Sequence, residues 1–494
     1  MRHRRISLAL GLIVCAVAAL AAAGCASSKK SSQARSKRVV LSTEYDDARA
    51  GRDASVDVKQ ELGALGDAEL DAYVNAIGRK LLRGVPRRSF DYQFTVIDQE
   101  EPNAFALPGG YIFVSRGLLT LANNEDELAC VLGHEITHAA NRHAAAQQAL
   151  SRTMNPLAMP WNRAASMAAY GRDMERDADK GGQILCAAAG YDPMAMSTFL
   201  ESLEQLQRLQ RGFSRRPSFF DTHPGTTERV ASNAVRAGEI RWHRDPAIGD
   251  PRDALLDQVD GLPVGQRPEA GIFVGNSFIH PILDFHIRFP EGWRQANANQ
   301  AVGAMEPRGQ AVIFLMAGKG GATAQQVAEA WVDRAKQEQR AELKDSRPVK
   351  IGSIDAWRVK IEMPGPVRVA STVTFIPYRD ATWRVTGTSR AMTADKYMGR
   401  ILSTTRSFRP LSLKERRSIK TLRLRSVEAR KGENVIALSR RTGNAWSPAM
   451  TAVNNGVFVD HRFEGGERVK IATVELFMPR MSQPTAGPGA PQGG

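Results

Sequence analysis

The chain has 494 residues, which is too long for one hydrophobic core and predicts about two to four domains. Its composition, 43% hydrophobic and 24% charged, is that of soluble globular material and excludes a largely disordered chain. The formal net charge is +15, but the basic stretches lack interleaved aromatic residues and any nucleic-acid-binding motif. We therefore expect lipid headgroups or cell-wall polymers as anionic partners and no nucleic acid, with a merely solvated basic face as the equal alternative.

The first residues have the pattern of a bacterial export signal. Over residues 1–24, three arginines precede an apolar run from Ile6 to Ala23. Small residues directly before Cys25 resemble a lipobox, which predicts cleavage there and a lipid on the thiol. An ordinary signal or a membrane helix fits less well, because the run is short for a bilayer span. We expect an exported protein, anchored by lipid on the periplasmic side of the outer membrane and tethered by a basic linker over residues 25–50.

The motif GHEITHAANRH lies in a stretch that reads as one helix over residues 125–150. On such a helix His134 and His138 project from one face, one turn apart. This spacing lets two imidazoles bind one zinc ion, with Glu135 beside them. His143 is rotated by about 140° from that face. We therefore exclude His143 as a ligand and interpret it as a surface or packing residue.

A zinc ion that acts on a substrate takes three protein ligands and leaves a fourth position open. The stretch RDMERDADKGG offers Glu175 as the third ligand. Asp179, one turn later, is predicted to accept the N–H of a ligating imidazole and to support catalysis in that way. Asp173 and Asp177 are the competing candidates for the third ligand. The pattern predicts one zinc ion per chain.

Four stretches occur in the order and spacing of one zinc metallopeptidase family of the gluzincin type: NAFALPGGYIFVSRGLL, EDELACVLGHEITHAANRH, RDMERDADKGG and THPGTTERV. The chain resembles the family of HtpX and the CAAX prenyl proteases, and within it the periplasmic BepA-like lipoprotein branch. The resemblance implies a mainly α zincin-like metallopeptidase domain with a small β edge, which we place at residues 51–240. No tetratricopeptide-type repeat follows in the sequence, so we do not carry over the partnerships of that branch.

The resemblance implies roles for two further stretches. Asn103, Ala104 and Phe105 correspond to the strand edge where the family binds substrate backbone as an added strand. Without the resemblance, this stretch is a plain β-turn. His223 matches a histidine that in periplasmic members takes the fourth metal position and leaves the enzyme latent. Arg229 falls where the family has an arginine near this loop, and its role stays open.

The rest of the chain predicts accessory domains. Residues 241–283 are rich in Pro, Gly and Asp and predict a linker. Residues 284–410 alternate strands with amphipathic helices, which predicts an α+β sandwich that resembles PsbP-like domains. Residues 418–478 resemble a degenerate LysM module, a small α/β unit that binds peptidoglycan glycans, with Gly-Glu-Asn in place of the usual Gly-Asp-Thr. The Pro/Gly-rich tail, residues 479–494, is predicted to be disordered. The fold class is therefore multidomain.

Two cysteines remain after the predicted processing, Cys130 and Cys186. Cys130 lies one helical turn before His134, and Cys186 lies about three turns after Glu175. Their levels along two packed helices are therefore not expected to match. We expect two buried free thiols.

Together, these residues predict a zinc metalloendopeptidase that hydrolyses misfolded or unassembled envelope proteins. Zinc would activate water, while Glu135 would take a proton from that water and return it to the leaving amine. The alternative is an envelope assembly or cell-wall-tethering factor with a structural or permanently latent zinc site. The large accessory domains and His223 favour that alternative. The presence of Glu135 argues against it, because a structural zinc site needs no general base.

Overall fold

The computed structural model describes residues 43–86, 90–147, 171–209, 219, 223, 226–298 and 301–477. The predicted signal peptide, Cys25, most of the basic linker and the predicted disordered tail lie outside these residues. None of the helices within them is long and apolar enough to cross a membrane.

The described helices are α1 (Glu44–Glu61), α2 (Ala68–Leu81), α3 (Arg116–Leu121), α4 (Glu125–Ala140), α5 (Arg172–Ala188), α6 (Ala195–Leu209), α7 (Thr226–Glu239), α8 (Pro251–Val259), α9 (Ala324–Gln339), α10 (Ala394–Arg406), α11 (Leu413–Ser418), α12 (Val435–Thr442) and α13 (Pro448–Val453). The described strands are β1 (Gln93–Ile97), β2 (Ala104–Leu107), β3 (Tyr111–Ser115), β4 (Pro263–Val264), β5 (Ile272–Val274), β6 (Ser277–His280), β7 (Phe285–Arg288), β8 (Arg294–Ala298), β9 (Ala301–Met305), β10 (Ala311–Lys319), β11 (Glu342–Ile351), β12 (Ile354–Met363), β13 (Val369–Tyr378), β14 (Ala381–Arg390), β15 (Arg409–Pro410), β16 (Lys420–Glu428) and β17 (Arg468–Leu476).

The chain divides into two compact units. The first unit combines Gln33–Gln266 with Thr421–Glu475, and the second is formed mainly by Arg267–Lys420. The chain is thus multidomain, with a largely helical unit and a sheet-rich unit, as the sequence predicts at this coarse level. The predicted LysM-like segment belongs to the first unit and does not form a unit of its own.

Helix α4 carries the histidine motif, and the residues at its two ends determine where it begins and ends. The Asn124 side chain accepts a hydrogen bond from the backbone N–H of Glu127, and three acidic residues in the first turn complement the helix dipole. The helix ends at Ala140, because Arg142 adopts a positive φ of 52°. The prediction of one helix over residues 125–150 is therefore wrong at its C-terminal end.

Helices α4 and α5 pack closely along their backbones. A Cβ atom added to Gly133 would lie 2.9 Å from the carbonyl oxygen of Gly182, so no side chain fits between the helices here. Further along α4 and earlier along α5, a Cβ atom on Gly181 would lie 2.4 Å from Cγ2 of Thr137. The order of these contacts shows that the two helices run antiparallel.

Beside α4 lies a small sheet with the strand order β1-β3-β2. Strand β1 runs parallel to β3, and β2 runs antiparallel to it, with Ala104 opposite Val114 and Leu107 opposite Tyr111. Strand β2 is thus at the edge of this sheet and lies against α4. This arrangement brings a strand edge next to the histidine motif.

The segment predicted as a linker contributes to the core of the first unit. Leu255, Leu256 and Val259 of α8 are buried in the same apolar cluster as residues of α4 and α6. Strand β4 pairs with β16, so the C-terminal segment extends a sheet that begins in this stretch. Residues 241–283 are therefore more ordered than the linker that composition predicts, because α8 has an apolar face and a capping Asp250.

A buried lysine joins the C-terminal segment to the end of α3. The Lys470 side chain of β17 is 0% exposed, and its Nζ donates to the carbonyl oxygens of Thr120, Leu121 and Ala122 at 2.8, 3.2 and 2.6 Å. Burial lowers the pKa of Lys470 well below its usual value. The carbonyl groups at the C-terminal end of α3 are satisfied by a side chain about 350 residues further along the chain.

The second unit is an α+β structure built on a seven-stranded sheet with the order β11-β12-β13-β14-β10-β9-β8. Neighbouring residues of β13 point to opposite faces: Phe375 packs with Trp331 of α9, and Ile376 shares a cluster with Ile401 of α10. The two helices therefore cover opposite faces of the sheet. A second sheet, β15-β7-β6-β5, completes this unit.

Candidate metal centre

Four side chains from three separate segments meet inside the first unit. His134 and His138 come from α4, Glu175 comes from α5, and His223 comes from the segment before α7. One potential ligand atom from each residue lies within 4.8 Å of the others, and all four residues are buried. Histidine and carboxylate donors in this combination suit zinc.

The separations between the donor atoms fit a single small cation. The Nε2 atoms of His134 and His138 are 3.0 Å apart, and they lie 3.6 and 3.5 Å from the Glu175 carboxylate oxygens. The Nδ1 atom of His223 lies 3.2 Å from Nε2 of His134 and 3.1 Å from each Glu175 oxygen. Ligands about 2.0 Å from a tetrahedral ion are roughly 3.3 Å from one another. The four donors therefore fit zinc without further rearrangement of the chain.

The outward nitrogen atoms of both motif histidines have polar partners. The Nδ1 atom of His134 lies 3.0 Å from Oδ1 of Asp179, and the Nδ1 atom of His138 lies 2.8 Å from Nδ1 of His143. A proton on each outward Nδ1 leaves the Nε2 lone pair directed into the cluster. Burial opposes the charge of His134, but Asp179 and Glu175 outweigh it and raise its pKa to about 9. The carboxylates thus favour positive charge at this position.

Of the two interpretations of His143, surface or packing residue, the structure agrees with the second. It is 7% exposed, and its Nε2 lies 3.2 Å from Oδ2 of Asp177, which also accepts a hydrogen bond of 2.6 Å from Asn141. The cause is the end of α4, since the positive φ of Arg142 turns the chain back toward His138. An asparagine followed by a basic residue after an apolar helix is a possible C-terminal signal, and it could have indicated this turn.

Glu175 and its two competitors differ in their surroundings. Glu175 is 1% exposed and faces the histidines, whereas Asp173 has a side chain that is 98% exposed and pairs with Arg176. Asp177 points to His143 and not to the cluster. Burial opposes the charge of Glu175, but His223 and the two other histidines hold its pKa well below the usual range.

Arg229 joins the two buried carboxylates of α5. Its guanidinium donates to both Asp179 oxygens at 2.8 and 2.7 Å and lies 2.9 Å from Oε2 of Glu175. Burial opposes the charge of Asp179, but the hydrogen bonds from Arg229 and His134 outweigh it and lower its pKa below the usual range. Nη1 of Arg229 also donates to the carbonyl oxygen of His223 at 3.4 Å. Sequence spacing alone left this residue without a role.

Glu135 faces the cluster from the side of the small sheet. Its side chain is 0% exposed, and Oε1 lies 3.4 Å from Nε2 of His223. Burial raises the pKa of Glu135, while His223, His134 and the backbone of Ala106 partly offset this effect. A buried carboxylate with a raised pKa beside a group of metal-ligating side chains has the properties of a general base that works near neutral pH.

The histidine from the segment before α7 is held by an aromatic neighbour. The His223 ring stacks on Phe219, with ring centroids 4.2 Å apart, and its backbone N–H donates to the carbonyl oxygen of Phe219 at 2.8 Å. The backbone N–H of Phe219 donates in turn to the carbonyl oxygen of Pro102, just before β2. This segment is thereby linked to the edge strand as well as to the cluster.

Of the three residues predicted to bind substrate backbone, one lies in a loop and two lie in a strand. Asn103 precedes β2, and its backbone N–H donates to Oγ of Ser115 at 2.8 Å. Ala104 and Phe105 lie in β2, where the Phe105 ring stacks on Phe113 with centroids 5.2 Å apart. A small cleft lies between the end of β2 and the end of α4, lined by Asp47, Ala106, Leu107, Pro108, His138, Ala139, Arg142, Ala144 and Ala145.

Comparison with known proteins confirms the family resemblance for this part of the chain. Residues 68–236 match the model of peptidase family M48. The beta-barrel assembly-enhancing protease of Escherichia coli is 31% identical over 201 residues, which cover 36% of this chain and 41% of that protein. The mitochondrial metalloendopeptidase OMA1 of Schizosaccharomyces pombe is 30% identical over 204 residues, which cover 37% of this chain and 58% of that protein. The chain thus spans less than two thirds of the length of these relatives.

A solved structure also resembles part of the chain. The solution structure of PsbP from Synechocystis aligns with 30% of this chain and 98% of its own, at 13% identity and a TM-score of 0.24. This similarity is too low to support an argument, so the PsbP-like assignment stays a prediction.

Proposed function

Because residues 68–236 form a peptidase family M48 domain, we propose that the protein is a zinc metalloendopeptidase of the bacterial envelope that cleaves misfolded or unassembled proteins. The observation that carries this proposal is the meeting of His134, His138 and Glu175 around one point, with Glu135 beside them. A purely structural zinc site has four protein ligands, a number that His223 would complete here, but it needs no buried base. The presence of Glu135 therefore favours catalysis over the alternative of an assembly factor.

The chemistry follows from the placement of these side chains. Nε2 of His134, Nε2 of His138 and the Glu175 carboxylate would hold the zinc ion. When bound, zinc supplies Lewis-acid activation of water and of the peptide carbonyl group. Glu135 accepts a proton from the attacking water and delivers it to the leaving amine. Asp179 keeps the His134 ring in the tautomer and orientation that ligation requires.

The edge strand gives the proposed substrate a way to bind without a particular sequence. An extended peptide beside β2 would make backbone hydrogen bonds, which depend little on side chains. The backbone of Ala106 interacts with Glu135, so a peptide at this edge would lie close to the base. Such binding selects chains that have extended segments available, which suits unfolded or unassembled proteins.

His223 gives the proposed enzyme a resting state. Its Nδ1 lies 3.1 Å from the Glu175 oxygens, where a fourth ligand would stand. Its Nε2 lies 3.4 Å from Glu135. A histidine in this position occupies the place of the reacting water, so it must leave before substrate is cleaved.

The test compares cleavage of one protein in its unfolded and folded forms. Zinc-loaded wild type and His223→Ala are incubated with both forms, and a His243→Ala variant serves as control because His243 is exposed. We expect cleavage of the unfolded form only, at least about tenfold faster in His223→Ala, abolished by a chelator and restored by zinc. Absence of cleavage by wild type and His223→Ala, with one zinc ion bound to each, would support the assembly-factor alternative.

Replacing His143 is expected to weaken zinc binding without removing a ligand. His143→Ala leaves Nδ1 of His138 without the partner now 2.8 Å away, and the loss of such a partner typically lowers metal affinity by about 10–100-fold. Competition with a chromogenic chelator measures this change, again with His243→Ala as control. Equal zinc affinity of His143→Ala and wild type would show that His143 only fills space.

The proposal also includes export and lipid anchoring at Cys25, on the grounds of the signal-like sequence. It does not include peptidoglycan binding. In the segment that resembles a LysM module, the side chain of Asn455 is buried and bonds to Arg252 and to the backbone of Lys470. These contacts do not test glycan binding by residues 418–478, which stays a prediction.

A further inference from the structure

Two thiols lie together where the helices of the metal centre cross. Cys130 of α4 and Cys186 of α5 are both free and both 0% exposed. The two thiols are close enough that each alters the pKa of the other. Each also faces a backbone carbonyl oxygen, that of Asp192 at 3.4 Å for Cys130 and that of Asp126 at 4.0 Å for Cys186.

The contact follows from the way in which the two helices pack. Gly133 and Gly182 bring the backbones together, and α4 and α5 run antiparallel through this point. Cys130 lies about one turn before Gly133, and Cys186 lies about one turn after Gly182. In an antiparallel pair these two positions are on the same level, about one turn from the closest approach of the helices.

The expectation that the levels of the two cysteines differ is therefore wrong. That expectation measured Cys186 from Glu175, as though Glu175 lay level with His134. In the structure, His134 lies opposite Asp179 and Gly182, one to two turns further along α5. The prediction that both thiols are buried and free is confirmed.

We propose that Cys130 and Cys186 form a disulfide when the chain folds in an oxidising compartment, and that this bond fastens the two helices that carry His134, His138 and Glu175. The oxidant is a disulfide-bearing thiol oxidoreductase or a small disulfide such as oxidised glutathione. Both S–H bonds are lost and one S–S bond forms. Two electrons and two protons pass to the disulfide of the oxidant, which leaves as two thiols.

Burial determines when this reaction takes place. Burial raises the pKa of both thiols, so the folded protein contains little of the thiolate that exchange requires. With both residues 0% exposed, an oxidant cannot reach them after the core has closed. The bond therefore forms during folding, and the same barrier then protects it from reductants in the folded state.

The bond is expected to stabilise the folded state, in which α4 and α5 carry the metal centre. The bond would close a loop of 186 − 130 = 56 residues, and restriction of the unfolded chain by such a loop lowers the unfolding equilibrium constant by on the order of 10³-fold. This inference rests on the export included in the proposed function but not on the proposed hydrolysis, because neither cysteine takes part in that reaction.

The test refolds the full chain from denaturant with reduced glutathione alone or with oxidised glutathione added. After trapping of free thiols and digestion with trypsin, we expect peptide 117–142 linked to peptide 181–208 only in the second sample. Peptide mapping separates this pair from Cys15 and Cys25. The linked form should resist dithiothreitol in buffer and lose its bond to dithiothreitol in denaturant.

Stability provides the second measurement, and it needs no enzymatic activity. The oxidised wild type should unfold at higher denaturant concentration than the reduced wild type. Cys130→Ala and Cys186→Ala should show no difference between the two refolding conditions. Free thiols in the oxidised and refolded wild type, or a linked form no more stable than the reduced one, would overturn the proposal.

Discussion

Glu135→Gln is expected to slow peptide hydrolysis by about 10²–10⁴-fold while the protein keeps its zinc. Glutamine matches the shape of the buried side chain but cannot accept the proton from the attacking water. Glu135 is not among the four side chains whose donor atoms converge on the cluster, so metal content should not change. The measurement is kcat/KM on an unfolded substrate, with zinc content determined on the same sample.

The pH dependence provides an independent readout of the same residue. Burial raises the pKa of Glu135, so the activity of the wild type should fall with decreasing pH at a value above the usual carboxylate range. The residual activity of Glu135→Gln should not show this decrease at acidic pH. The control is Glu201→Gln, which changes an exposed glutamate on α6. Wild-type activity in Glu135→Gln would exclude the proposed mechanism.

Arg229→Met is expected to destabilise the protein by about 3–5 kcal/mol, because it leaves buried carboxylates without their counter-charge. Arg229 is 4% exposed, and its partners Glu175 and Asp179 are each 1% exposed. Methionine fills a similar volume, so the loss should arise mainly from charge. Chemical denaturation in the presence of a chelator measures the effect without compensation by bound zinc.

The destabilisation caused by Arg229→Met should depend on pH. In the wild type, Arg229 helps to hold the pKa of Asp179 below its unfolded value, so the stability from this pair is present above that value and is lost as pH falls. The difference between variant and wild type should therefore be largest near neutral pH and decrease in acid. Arg236→Met, on the same helix, removes an arginine that bonds to Gln183 and Asn233 and, among the described residues, to no carboxylate. Equal losses in both variants, independent of pH, would contradict this explanation.

The parts of the site that depend on helical spacing could be predicted from sequence. His134 and His138 share one face of α4 at the predicted spacing, and Glu175 and Asp179 do so on α5. Their approach across two helices is a matter of tertiary packing, which spacing does not give, and its prediction rests on the need of a catalytic zinc ion for a third ligand. His223, which reaches the cluster from a third segment, is predicted by the family resemblance alone.

The predictions for the end of α4 and for the level of the two cysteines were wrong because of backbone geometry. One left-handed residue, Arg142, ends α4 and turns His143 inward, which a uniform helix over residues 125–150 cannot represent. The antiparallel contact through Gly133 sets the level of Cys130, and no count along one helix gives the relative position of two helices. The role of Lys470 was missed because its partners are carbonyl groups, which leave no trace in the sequence.

The contacts of Lys470 also determine when the first unit can be completed during synthesis. The carbonyl oxygens at the end of α3 are made about 350 residues before the ammonium group that binds them. At elongation rates of about 5–20 residues per second, this gap corresponds to roughly 20–70 s. Throughout that interval the end of α3 lacks its lysine partner, while Arg267–Lys420 is still being made. The order of the chain thus acts as a delay, and the unit that holds the metal centre becomes complete only after Arg267–Lys420 has been synthesised.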